Sequence, residues 1–381
     1  MSPENLSHRH PIVLVAGGTG GHVFPAESLA TELRERGYTL ALFTDSRGKA
    51  WSGALGGVDT HAIRAGRVSG VSLLGKIRGA AELALGGLQS RKLLSRLRPS
   101  VVVGFGGYAS VPAMLAATSL AVPTVVHEQN ALLGRANRLL APRVTAIATS
   151  FAEVQRIREA DRAKVVLTGN PVREAVRSLR DVPYSEPRRG APLHLLVTGG
   201  SQGASVFARV VPEAIARLPD DLRVRIHVTQ QARPEDLEQV RASYARMNQT
   251  AEVESFFTDL AARLGRAHLV VCRAGASTCA EITCAGRPAI LVPYPSAADD
   301  HQTANARAVA ASGGAELVAE PAFSPETLAA RLKLMIEQPG RLTQMAAAAR
   351  AAGHKDAAAN LAILVMNLVP VHLRNGGKEA A

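Results

Sequence analysis

Aromatic side chains make up only 4% of this 381-residue chain, too few for the stacked-base platform on which single-stranded nucleic acid is held. Cysteine is scarcer still: Cys272, Cys279 and Cys284 are odd in number, share one apolar region and lack C-x-x-C spacing or a neighbouring His cluster. That argues against zinc and disulfides and for buried thiols in a reducing cytoplasm. No Asp-x-Asp occurs, which speaks against a metal-clamped diphosphate. No Gly-Lys-Ser/Thr follows the Gly-rich loops, so none is a Walker loop. Met1 to Pro11 is polar and has no signal-peptide core. The longest uncharged stretch, Ser100 to Val126, is broken by Gly104, Gly106, Gly107, Pro112 and Pro123. It reads as strand–loop–helix–strand and not as a membrane span.

What is present is ordinary for a globular enzyme: 47% hydrophobic and 20% charged residues. The length suits two domains. The formal charge of +12 is uneven: residues 1–150 carry 16 Lys+Arg against 8 Asp+Glu, a net of +8, and the rest 28 against 24, a net of +4. A basic first half suits a phosphorylated substrate, an anionic membrane surface or nucleic acid.

Ile12–Val15 predicts a buried strand that enters Gly17-Gly18-Thr19-Gly20-Gly21-His22. A helix follows through Leu29 and Leu33 to a stop at Gly37, and then a strand from Thr39 to Phe43. This is the opening βαβ unit of a doubly wound α/β sheet. Val101–Val103 and Val125–Val126 continue it. The pattern restarts at Leu193–Val197, leading into Gly199-Gly200-Ser201-Gln202-Gly203 and a helix through Val210 and Ala214, with strands at Val224–Val228, Leu269–Cys272 and Ala289–Val292. The repeated GG-[Thr/Ser]-x-G core predicts two similar halves. The boundary falls near Gly169, giving domains 1–168 and 169–355. A helix from Ala357 to Leu368, with Asp356 as N-cap and Pro370 as stop, completes the chain.

Glycine-rich turns between strand and helix bring backbone N–H groups and the helix dipole to an anion. Gly17–Gly21 alone also fits an imperfect dinucleotide fingerprint, with Asp45 where a ribose acid could sit. Gly199–Gly203 repeats the chemistry, and Gly104-Phe105-Gly106-Gly107-Tyr108 ends a third strand. Thr278 and Glu281 fit a capping box; alternatively, Glu281 accepts hydrogen bonds from ribose hydroxyls. His22 and, in His127-Glu128-Gln129-Asn130, Glu128 are candidate general bases at strand ends, with His127 better suited to a supporting role. Asp299-Asp300-His301-Gln302 is a polar binding loop, since adjacent residues seldom converge on one ion. Gly66–Arg78 mixes Val68, Val71, Leu73, Leu74 and Ile77 with Arg67, Lys76 and Arg78, the composition of a segment lying on anionic lipid.

Taken together and in this order, Gly18-Thr19-Gly20-Gly21-His22-Val23-Phe24-Pro25, Gly106-Gly107-Tyr108, His127-Glu128-Gln129-Asn130, Gly169-Asn170-Pro171-Val172-Arg173, Gly199-Gly200-Ser201-Gln202-Gly203 and Asp300-His301-Gln302 resemble the MurG family of N-acetylglucosaminyltransferases over nearly the whole chain. The resemblance implies the GT-B fold, two Rossmann-like doubly wound domains with an interdomain cleft and the C-terminal helix, about 356–372, packing back on the first. It implies inverting transfer from UDP-N-acetylglucosamine to the 4-hydroxyl of the muramyl sugar of an undecaprenyl-diphosphate-linked muramyl-peptide, without metal or cofactor. Arg173, Ser201 and Gln202 would meet the donor diphosphate and Glu281 the ribose. Phe257 would read the uracil, Ala276, Ser277, Thr278, Cys279 and Ala280 would cradle the nucleotide, and Gln302 would hold sugar hydroxyls. Thr19, Gly20, Gly21 and Asn130 would complete the site from the first domain, with the acceptor diphosphate on Gly20-Gly21 and Gly106-Gly107. Helix dipoles and loop amides would stabilise the departing UDP. The implied setting is the cytoplasmic face of the cell membrane, peripherally bound to its anionic surface, beside cell-wall and division proteins and without nucleic acid. Ser296 departs from the family, many members of which carry His there. A UDP-sugar epimerase of the same fold, an NAD-dependent oxidoreductase and a silent lipid-binding scaffold are the competing readings.

Overall fold

A computed structural model of the chain describes residues 10–17, 20–45, 55–64, 73–188, 190–200 and 203–374. The chain separates into two compact units, Met1–Val172 with Asp356–Ala381, and Arg173–Lys355. The division thus comes after Val172, a few residues beyond the Gly169 turn.

The first unit holds a seven-stranded, wholly parallel sheet: β1 (Ile12–Val15), β2 (Leu40–Thr44), β3 (Asp59–Ala62), β4 (Val101–Gly104), β5 (Thr124–Glu128), β6 (Ala146–Thr149) and β7 (Val165–Leu167), in the order β3-β2-β1-β4-β5-β6-β7. The unbroken apolar runs of β1 and β4 follow from burial on both faces, as in parallel sheets covered by helices. Ile12 and Leu14 pack beneath helices Gly20–Glu35 and Ala357–Leu368, while Val13 and Val15 face helices Val111–Ser119 and Arg135–Leu140. Leu361, Ala362 and Val365 of the C-terminal helix are buried in the former cluster. Asp356 occupies its N-cap position but makes no side-chain cap hydrogen bond, and a further turn, Val371–Arg374, follows Pro370.

The second unit repeats the winding with six parallel strands: β8 (Leu193–Thr198), β9 (Ile226–Gln231), β10 (Ala251–Glu254), β11 (Leu269–Cys272), β12 (Ala289–Leu291) and β13 (Ala315–Leu317), ordered β10-β9-β8-β11-β12-β13. In both sheets the strand order reverses beside the first strand, at β1/β4 and β8/β11, the point where such sheets bind ligands at their carboxyl ends. The strand expected at Val224–Val228 begins two residues later. Val224 ends the short helix Asp220–Arg223 and is 69% exposed, whereas Ile226 and Val228 point into the core. All three cysteines are buried and none is in a disulfide; burial pushes the Cys279 thiol up to about 12 and Cys272 well above its usual value.

Candidate active site

Three of the first unit's glycine-rich and polar segments leave the carboxyl ends of β1, β4 and β5. Of the β1 loop, Thr19 lies outside the described residues, and Gly20 and Gly21 open helix Gly20–Glu35 with their backbone. His22 follows in the first turn, under the turn at Gly106 and Gly107. Both glycines have left-handed backbones, φ +86° and +73°, which favour glycine. A Cβ on Gly106 would stand 3.4 Å from His22 Cε1 and one on Gly107 3.4 Å from Nε2. The absence of side chains there is what lets the imidazole lie flush against the turn. His22 Nδ1 is buried and has no hydrogen-bond partner among the described residues. Burial lowers its pKa, opposed by the Glu128 carboxylate and by the Gln129 side chain and Phe105 backbone.

His127 at the end of β5 is fully buried. Its Nε2 donates to the Gly169 carbonyl at 3.1 Å and its Nδ1 accepts from Gln129 Nε2 at 3.0 Å, which fixes one neutral tautomer. Burial, with a smaller push from His22, lowers its pKa to about 4. Gln129 also donates to the Phe105 carbonyl, tying this strand end to the glycine turn. Glu128 is 2% exposed. Its Oε1 accepts from the backbone and side chain of Asn130 at 3.0 and 3.1 Å; Oε2 accepts from Gly134 N and Asn137 Nδ2, both at 2.8 Å. Four donors saturate this carboxylate, so it organises the loop and has little freedom to take a substrate proton.

In the second unit, Ser201 and Gln202 lie outside the described residues. The flanking glycines form a tight hairpin: Gly200 and Gly203 have φ +76° and +66°. A Cβ on Gly199 would come within 2.3 Å of the Gly203 carbonyl carbon. Thr198 anchors it, donating to Gln231 Oε1 at 2.8 Å and accepting from Gly200 N at 3.3 Å.

After β11, helix Ala276–Cys284 starts with Gly275 at its N-cap. Thr278 therefore lies inside the helix, and the capping-box reading of Thr278 and Glu281 fails for want of a cap at Thr278. The helix presents the backbone N–H groups of Ala276, Ser277 and Thr278 at its positive end, followed by Cys279, Ala280 and Glu281. Glu281 Oε1 accepts from Arg173 Nη2 at 2.9 Å and Nε at 3.3 Å. Burial raises the Glu281 pKa, and Arg173 opposes the rise. Gln302 Oε1 accepts from the backbone N–H of Ala274 and of Tyr294 at 3.2 and 3.0 Å. That bond pair joins the loops after β11 and β12 and leaves the Gln302 amide NH2 for another partner. Phe257, just past β10, is 6% exposed beneath the Arg263 guanidinium, 4.2 Å from the ring centre. Asp299 and Asp300 both have left-handed backbones, with Asp300 accepting from Thr303 and His301 bonded to the Ala298 carbonyl. Among the described residues no group of three or more His, Cys, Asp and Glu could hold a metal ion.

The sequence motifs gave no reason to single out Asn137. A polar residue in the short helix Arg135–Leu140 carries no periodicity signal, and only the fold brings it 2% exposed against Glu128.

Two family models match the chain: the glycosyltransferase family 28 N-terminal domain over residues 12–149 and the family 28 C-terminal domain over 194–361. A UDP-N-acetylglucosamine–N-acetylmuramyl-(pentapeptide) pyrophosphoryl-undecaprenol N-acetylglucosamine transferase of Rhodospirillum centenum is 58% identical, covering 93% of this chain and 94% of its own. The protein of the same name from Paramagnetospirillum magneticum is 54% identical, covering 96% and 99%. Among solved structures, MurG of Acinetobacter baumannii superposes with a TM-score of 0.77 at 28% identity, over 94% of this chain and 99% of that one. A UDP-GlcNAc 2-epimerase from Neisseria meningitidis, at 14% identity and a TM-score of 0.63 over 93% and 99%, shares the fold alone.

Proposed function

Because the chain belongs to the MurG family of glycosyltransferases, we propose that its first unit binds and deprotonates the acceptor while its second binds the nucleotide-sugar. The reaction is transfer of N-acetylglucosamine from UDP-N-acetylglucosamine to the lipid-linked N-acetylmuramyl-pentapeptide of peptidoglycan synthesis. The fold is the GT-B fold of two Rossmann-like units.

In this proposal the muramyl 4-hydroxyl attacks the anomeric carbon, the bond to the donor phosphate breaks with inversion, and the electron pair leaves with UDP. His22 Nε2 takes the hydroxyl proton. The single observation that carries the choice is the contrast between the two candidates. Glu128 already accepts four hydrogen bonds, whereas His22 lies against the glycine turn with burial lowering its pKa. Thr19, Gly20, Gly21, Gly106, Gly107 and Asn130 are the first unit's binding groups. In the second unit Arg173, Ser201 and Gln202 meet the diphosphate, Glu281 the ribose, Phe257 the uracil, and Gln302 the sugar hydroxyls. The turn Ala276–Ala280 faces the nucleotide with its free N–H groups, stabilising the departing diphosphate.

Among the described residues no helix is long and apolar enough to cross a membrane. The proposed contact with the anionic membrane surface is peripheral, through the segment Gly66–Arg78. Residues 66–72 of that segment lie outside the described residues, as do the side chains of 73–78.

Calorimetric titration with UDP tests the division of labour. Glu281→Ala should weaken binding about tenfold or more, the loss of a charged hydrogen-bond partner, and His22→Ala should leave it unchanged. Equal weakening by both, or by neither, would overturn it.

A further inference from the structure

Arg233 stands just past the carboxyl end of β9, and its stem lies on Gly203, the last residue of the second unit's glycine hairpin. A Cβ on Gly203 would come within 2.8 Å of Arg233 Cγ, well inside the distance at which carbon atoms touch. Only a glycine there lets the arginine approach so closely. The surrounding strand ends fix the approach. Ala232 N donates to the Glu254 carbonyl at 3.0 Å, tying the Arg233 segment to β10. Gln231 accepts from the Thr198 hydroxyl at 2.8 Å and donates to the Ser255 carbonyl at 3.1 Å, which links the ends of β8, β9 and β10. Ser205, which opens the helix after the hairpin, donates to Asp236 Oδ2 at 2.8 Å.

The guanidinium held there is poorly satisfied. Arg233 Nε is buried and has no hydrogen-bond partner among the described residues. Its ion pair with Glu235 spans 3.8 Å, beyond hydrogen-bond reach, and the Glu235 side chain is largely exposed, so water screens the pair. Arg217, Arg223 and Arg341 of the same unit instead reach carboxylates at 2.7–2.9 Å. Arg173, the cation already assigned to the donor diphosphate, gives Nη2 and Nε to Glu281. A buried N–H on a charged group without an acceptor is costly, and the acceptor that fits it is an anion at the hairpin.

We propose that Arg233 is a further binding residue for the donor's diphosphate, its Nε–H and one Nη–H donating to phosphate oxygens held at the Gly199–Gly203 hairpin. The planar guanidinium fork matches phosphate geometry, and such charge-assisted bonds are about twice as strong as neutral ones. The inference rests on the hairpin holding the diphosphate, as in the proposed function. Loop amides supply direction, and Arg233 supplies a charge that no carboxylate cancels at hydrogen-bond distance. During transfer the bond from the anomeric carbon to the β-phosphate oxygen breaks and its electron pair stays on that oxygen. The added negative charge then forms beside Arg233, which holds UDP more tightly than the intact donor and so favours bond cleavage.

The test is calorimetric titration of the full chain with UDP and with uridine, each at low and at high salt. The wild type should bind UDP the more tightly, and salt should weaken UDP without weakening uridine. Arg233→Met keeps an apolar stem over Gly203 and removes the charge, which separates packing from electrostatics. It should weaken UDP at least about tenfold, the scale of a hydrogen bond to a charged group, flatten the salt dependence and leave uridine unchanged. Arg233→Lys restores a charge without the fork and should recover the salt dependence and part of the affinity. An Arg233→Met chain with wild-type UDP affinity and salt dependence overturns the proposal, and so does a loss that Arg233→Lys repairs in neither respect. A wild type that binds uridine as tightly as UDP instead overturns the placement of the diphosphate on the hairpin, an outcome read without any variant.

Discussion

At the scale of single residues, His127 shows how far burial determines chemistry here. Both of its ring nitrogens are committed, to the Gly169 carbonyl and to Gln129, so a second proton would break the bond at Nδ1 and leave a charge in the core. An unfolded imidazole takes up its proton near its ordinary pKa of 6.5, the folded one near 4. Between these values the unfolded chain binds more protons, and stability falls as pH falls. Each such site contributes up to about 1.4 kcal/mol per pH unit in that window. The first unit's unfolding free energy in urea should therefore drop between pH 6.5 and about pH 5, and His127→Gln should make the drop shallower. A slope that His127→Gln leaves as steep as in the wild type would contradict it.

Candidate site residues stood out in the sequence where a motif sat against a strand end. His22 follows its glycine loop directly, and Glu281 lies in the helix that opens after β11. The linkage of Arg173 to Glu281, 108 positions apart, could not be read from spacing. Nor could the saturation of Glu128, which depends on a loop folding back to offer Gly134 N and Asn137.

At the scale of elements, central strands announced themselves and edge strands did not. β1, β4, β8 and β11 are apolar because helices cover both faces. At the sheet edges β3 reads Asp-Thr-His-Ala and β10 Ala-Glu-Val-Glu, and they have largely exposed residues and no hydrophobic run to find. The error at Val224 has the same origin: an apolar residue outside the sheet imitates a strand start.

Helix Leu73–Leu97 packs Leu94 into the core yet turns other leucines to solvent. Leu85 and Leu88 are 47% and 67% exposed, with Arg91 and Lys92 exposed beyond them. They extend the apolar-and-basic composition that begins at Gly66. Replacing Leu73, Leu74, Ile77, Leu85 and Leu88 with Ser should weaken co-sedimentation with anionic vesicles at least about tenfold, since burying one such side chain is worth roughly 1.5–3 kcal/mol. Undiminished sedimentation would remove this helix from the membrane contact.

At the scale of the whole molecule, the sequence echo between Gly17–Gly21 and Gly199–Gly203 corresponds to a duplicated topology. Each unit winds in the order that places its glycine loop at the reversal of its own sheet. That duplication was readable because both loops need the same backbone chemistry, close N–H approach at a strand end. The loops are unequal in what surrounds them. Other strand-end loops of the first unit carry an imidazole, and those of the second a helix N-terminus, an Arg–Glu pair and an amide. Under the proposed function, the first unit removes a proton and the second holds and releases a nucleotide.

The most direct measurement is a transfer assay with UDP-N-acetylglucosamine labelled in the sugar and a lipid-linked muramyl-pentapeptide acceptor, separating lipid product from free sugar-nucleotide. The wild type should move label into the lipid fraction only when acceptor is present, and His22→Ala should lower the rate by about a hundredfold or more, the usual worth of a general base. Label appearing as a free epimer with none in lipid, or a His22→Ala enzyme as fast as the wild type, would contradict the account.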